Sequence, residues 1–156
     1  MDPVERMLAS FRARLFPARS RRRQAGAAAV EFALVIPLFT VLVMGAVDYG
    51  YYFFSEQVVT NAAREGARTG TLVAMAGSTP TGAEQSTATS NARTAAQTYM
   101  QKGGVTCPSG CVTATYTTAP GSPTIDVVIN YPYAGLTGFN RSVMPTRIYA
   151  HAAMRW

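Results

Sequence analysis

Residues 21–47 read RRRQAGAAAVEFALVIPLFTVLVMGAV, and this stretch decides the architecture. From Ala25 to Val47 there are 23 residues with one charge, Glu31, and the 16 residues from Phe32 to Val47 carry none. A bilayer span takes about 20 mostly apolar residues, a secretory signal core about 7–15. A core helix of a soluble domain would show a polar face, whereas this run is apolar all round. It predicts one membrane-spanning helix. Basic residues flanking a span stay in the cytoplasm, so the arginines place the N-terminal side inside and the chain beyond about residue 50 outside. The rings of Tyr49, Tyr51, Tyr52, Phe53 and Phe54 suit the outer interface or a packed helix stripe. A cleavable secretory signal fits poorly. Its small-residue site should follow the apolar core, but here Ala25–Ala29 precede it, and Asp-Tyr-Gly-Tyr-Tyr follows Val47.

Charge confirms how uneven the chain is. Its 156 residues carry 14 Lys and Arg against 8 Asp and Glu, a net +6, and only 14% are charged. An ordinary soluble domain has roughly 25%. Seven arginines (Arg6, Arg12, Arg14, Arg19, Arg21, Arg22, Arg23) against Asp2 and Glu5 give residues 1–26 a net +5, leaving +1 for the rest. Such an excess in a short arm beside an apolar run argues against a nucleic-acid-binding domain, and nucleic acid is not an expected partner. No catalytic constellation is visible. The one histidine, His151, lies on the polar face of a candidate strand without a nucleophile motif, and there is no phosphate-binding glycine loop. The expectation is a non-enzyme without metal or cofactor.

Glu31 is the least expected residue, because a carboxylate inside a span costs roughly 2.5–3.5 kcal/mol. It either reaches headgroup water or has a functional partner. Its surroundings decide between these. RRRQAG (21–26) followed by AAAVEF (27–32) resembles a type IV prepilin leader with its processing site. That resemblance implies a membrane peptidase cutting between Gly26 and Ala27 on the cytoplasmic side, so that Glu31 becomes the fifth residue of the mature chain. Glu31-Phe32-Ala33-Leu34, Ile36-Pro37, Gly45 and then Ala62-Ala63-Arg64-Glu65-Gly66-Ala67-Arg68 are similar to the TadE-like family, minor pilins or pseudopilins of Tad (tight adherence) type IV pili. The similarity covers roughly residues 21–70, with a fainter echo at 150–155; TadF and TadG proteins share its N-terminal half. It implies that Glu31 and Phe32 serve assembly, Glu31 compensating the terminal amine of a neighbouring subunit. It implies other pilin or pseudopilin subunits, a prepilin peptidase, an inner-membrane assembly platform and the lipid bilayer as partners, and a role in pilus assembly and adhesion. The competing expectation is an uncleaved single-pass protein whose external domain is a binding or receptor module.

Pro37 removes the helical partner of the Ala33 carbonyl and predicts a kink or softened turn. Helical pattern continues past the span to about residue 69, where Gly66, Thr69 and Gly70 weaken it and should end it. A helix over 27–69 would be roughly 60 Å long. Arg64 and Arg68, spaced i,i+4, share a face and are candidates for subunit contact or a solvated surface. Residues 76–90, rich in Gly, Ser, Thr and Pro, read as a loop, although Glu84–Gln101 is free of breakers and predicts a second helix ended by Gly103-Gly104. Period-two alternation around Val112–Tyr116, Ile125–Tyr131 and Arg147–Trp156 predicts half-buried antiparallel strands, with Trp156 as a core anchor. Cys107 and Cys111, in Cys-Pro-Ser-Gly-Cys on the oxidising side, predict a disulfide. The expected fold is therefore α+β: a basic leader 1–26, a hydrophobic helix 27–70, and an external domain 71–156 with an antiparallel sheet of three to four strands.

Overall fold

The computed structural model describes residues 20–74, 80–119, 122–138 and 144–155. The arm through Arg19 and the expected anchor Trp156 lie outside the described residues. Helix α1 spans Ser20–Thr71 and closes in a 3-10 turn, Leu72–Ala74; α2 is Gly82–Lys102. Strands β1 (Val112–Ala119), β2 (Ser122–Pro132) and β3 (Arg147–Arg155) form one antiparallel sheet in the order β1-β2-β3. The α+β expectation holds. The chain divides into two compact units, one up to Val43 and the other from Met44.

In the first unit α1 is apolar and exposed on every side. Val30, Phe32, Leu34, Leu38, Phe39 and Leu42 all leave most of their surface uncovered. Helical structure runs uninterrupted through Pro37. The Thr40 hydroxyl donates to the Ile36 carbonyl at 2.9 Å, a local bond that keeps its polar group satisfied inside the helix.

The second unit has a core made of three faces. Val58, Val59, Ala62, Ala63 and Ala67 come from α1; Ala88, Ala92, Ala96 and Met100 come from α2. The inward row of β2, Ile125, Val127 and Ile129, is fully buried, flanked by Val112 and Ala114 on β1 and Ile148 and Ala150 on β3. Alanine at every fourth position of α2 leaves little side-chain bulk, so backbones approach closely. The glycines of α1 use that space. A Cβ on Gly66 would sit 2.8 Å from the Ala92 carbonyl oxygen, and one on Gly70 would sit 2.5 Å from Ile125 Cδ1. The helix ends at Thr71, close to the expected end at about residue 69; Gly66 lies inside it and Gly70 is its penultimate residue. Their cost of about 1 kcal/mol each in helix propensity is offset by the packing they permit. Gly66→Ala should lower stability by about 1–3 kcal/mol through overpacking against backbone. Thermal unfolding followed by circular dichroism measures this, with Gly82→Ala, which meets open space, as the neutral control. An unchanged midpoint for Gly66→Ala would mean that α1 and α2 separate freely.

The start of α2 also differs from expectation. Residues 82–90 are helical rather than loop. Thr81 is the N-cap of a capping box: its N–H donates to Glu84 Oε2 at 2.7 Å, and its hydroxyl accepts from the Glu84 N–H at 3.4 Å. The Thr81 backbone N–H, then its hydroxyl, hold the Glu84 carboxyl below its ordinary value. The stabilisation from this box is therefore present at neutral pH and lost as pH falls through that lowered value. Ser86, Thr87 and Thr89 donate their hydroxyls to carbonyls one turn back at 2.9–3.0 Å, which lets a Ser/Thr-rich stretch stay helical. At the other end the glycine stop is as expected. Gly104, at φ +73, donates to Gln101, and Val105 donates to Met100, both at 3.0 Å, with Val105 and Met100 buried together.

Candidate functional site

The residues singled out in the sequence fall in two places. Gly26, Ala27, Glu31, Phe32 and Pro37 lie along the exposed apolar part of α1, all in the first unit. Ala27 and Glu31 are spaced i,i+4 and so share a helix face. Glu31 is exposed and makes no ion pair among the described residues. Gly26 sits within the helix, yet nothing lies within 4 Å of where its Cβ would be. No packing requirement in the described structure demands glycine there. An 18-residue window of this helix has a mean hydropathy of 2.3 with none of it buried. Among the described residues it is the one helix long and apolar enough to cross a membrane.

Residues 26–68 match the family model for TadE-like protein. The matched segment begins at Gly26 and runs through the exposed apolar helix into the packed part of α1. Among curated proteins and solved structures, nothing matches the chain.

Beyond Val43, the matched segment contains one site that sequence reasoning missed. Asp48 is 1% exposed although it follows directly on the charge-free run. Its carboxylate accepts three hydrogen bonds from one loop. The Leu136 and Thr137 N–H groups donate to Oδ1 at 3.1 and 2.8 Å, and the Thr137 hydroxyl donates to Oδ2 at 2.6 Å. The Asp48 carbonyl accepts from the Tyr133 hydroxyl at 2.9 Å. Gly135 and Gly138, at φ +71 and +69, supply the left-handed turns that aim successive N–H groups at one carboxylate. Burial, then the Asp48 charge, push the Tyr133 hydroxyl above its ordinary pKa, so it remains a donor at neutral pH. A cavity of about 10 Å³, bounded by Asp48, Tyr133, Gly135, Pro145 and Thr146, adjoins the carboxylate. The available signal was a lone acid at the end of an apolar run and a Gly-x-x-Gly loop 87–90 residues later.

The remaining candidates are surface features. Arg64 and Arg68 are both exposed; Arg68 Nη1 lies 3.5 Å from Glu65 Oε2, an exposed pair of the kind worth at most about 1 kcal/mol. Cys107 and Cys111 are joined in a disulfide with Cα atoms 6.0 Å apart. The Cys111 carbonyl also accepts from the Asn130 N–H at 2.9 Å, tying the small loop to β2. His151 Nε2 lies 3.1 Å from Asp126 Oδ1 across β2 and β3, a diagonal surface pair. Among the described residues, no three His, Cys, Asp or Glu side chains come together as a metal site would require.

Proposed function

We propose that this protein is a structural minor pilin or pseudopilin of a Tad-type type IV pilus, needed for pilus assembly and adhesion. The observation that carries the reading is the register of the TadE-like match. It starts at Gly26, the residue before the proposed cut, and Glu31 follows as the one charge of the exposed apolar run from Ala25 to Val47. On this reading residues 1–26 are a cytoplasmic leader removed by a prepilin peptidase. Residues 27–70 form the hydrophobic helix, which crosses the inner membrane to about residue 50. Residues 71–156 form the external domain. Arginine flanking sets this orientation. The role is structural rather than enzymatic, with partner subunits and the inner-membrane assembly platform supplying the rest of the apparatus.

Glu31 then has a defined task. Cleavage exposes the α-amine of Ala27, and a carboxylate and an ammonium attract strongly where water is scarce. Pairing between neighbouring subunits fixes their axial register. Glycine at the cut also weakens the helix by about 1 kcal/mol relative to alanine, easing the local unwinding a peptidase needs. Arg64 and Arg68 offer a basic stripe to acidic groups of another subunit.

Intact mass and N-terminal sequencing of the membrane-bound protein, with the prepilin peptidase present and absent, test the reading. The expected result is a peptidase-dependent start at Ala27. Gly26→Val, whose Cβ would meet nothing within 4 Å, should leave the chain uncut. A chain that keeps its leader under both conditions would overturn the pilin reading and favour the single-pass receptor module.

A further inference from the structure

We infer that the loop from Tyr133 to Gly138 is a second membrane contact, strapped to α1 by Asp48 so that Leu136 enters the outer lipid interface. This rests on the reading of α1 as the membrane span. Asp48 immediately follows Val47, the last residue of the charge-free run. Two of the bonds to its carboxylate come from backbone N–H groups, one of them that of Leu136 itself. The position of Leu136 is therefore tied to the helix position where the apolar run ends, rather than left to the loop.

What the loop presents is apolar. The sequence Tyr-Ala-Gly-Leu-Thr-Gly contains no charge, and its one polar side chain besides Tyr133, Thr137, is turned onto Asp48. Leu136 is 62% exposed. Met44, Val47, Tyr49 and Phe53, in the same compact unit, are exposed as well, and the Tyr49 and Phe53 rings pack edge-on at 4.9 Å. Rings with a polar tip and an aliphatic residue at the mouth of a span match the chemistry of the headgroup–acyl boundary. The occupant is lipid rather than a protein groove because the chain itself carries the bilayer to residue 47.

The test uses full-length protein in vesicles of phosphatidylethanolamine and phosphatidylglycerol, with acyl chains either plain or brominated near the headgroup. In a Trp156→Phe background, Leu136→Trp reports on the loop and Phe39→Trp on the span. The expected result is a blue-shifted emission for Leu136→Trp that is largely lost on brominated lipid, with Phe39→Trp also quenched. Adding Asp48→Ala, with the fold checked by circular dichroism, should restore much of the Leu136→Trp emission, because both N–H groups and the hydroxyl lose their acceptor. Quenching of Phe39→Trp without quenching of Leu136→Trp would overturn the loop contact and leave the span standing. Quenching of neither would overturn the span and this inference together. Quenching of Leu136→Trp that is indifferent to Asp48→Ala in a folded protein would overturn the role of the strap.

Discussion

Asp48→Ala is expected to destabilise the second unit by about 3–5 kcal/mol, the cost of removing one partner from a buried, charge-assisted network. Two N–H groups and a hydroxyl would lose their acceptor inside a site that is 1% exposed at the carboxylate. Domains of this size are stable by only about 5–15 kcal/mol, so the loss is a large share of the total. Thermal unfolding in detergent should show a midpoint lower by more than about 10 °C. Hydrogen exchange should accelerate at the Leu136 and Thr137 amides first. Asp48→Asn keeps an acceptor for the two N–H groups and should cost distinctly less. A shift of Asp48→Ala within about 0.5 kcal/mol, the range of an ordinary surface change, would mean that the loop finds water instead and that the carboxylate is not the strap.

The second large effect concerns Glu31→Gln. The substitution preserves size and removes the charge. Membrane insertion and cleavage at Gly26 should proceed as before, because Glu31 is exposed and makes no ion pair among the described residues. Incorporation into pili should fall by about thirtyfold or more, since a carboxylate–amine pair that offsets roughly 2.5–3.5 kcal/mol of burial is lost on one side. The measurement is the ratio of subunit in sheared pili to subunit in the membrane fraction, with cleavage checked by mass. Normal incorporation would remove the pairing role while leaving the processing reading intact.

Local pattern carried most of the fold into the sequence. Apolar runs give the span, alternation gives β2 and β3, and Gly103-Gly104 ends α2, because each depends on neighbours within a few residues. Three features escaped because their cause is distant. Gly66 and Gly70 look like helix breakers until α2 and β2 are seen to press against them. The stretch 82–90 looks like loop by composition, and only the Thr81–Glu84 box with its hydroxyl back-bonds shows how it becomes helix. Asp48 looks like the polar border of a span, since its partners lie 85–89 residues further on. The expected processing site, by contrast, comes from a family likeness rather than from physics and is a proposal.

That long separation sets a clock on biogenesis. Synthesis at about 5–20 residues per second delivers Thr137 some 4–18 s after Asp48. Throughout that interval the carboxylate has no loop to hold and must keep its water, which on the proposed reading of α1 marks where the helix leaves the bilayer. Only when the sheet's second crossing is made can the acid be drawn in and dehydrated. One residue thus passes from a hydrated acid on the growing chain to the buried fastener of the finished domain.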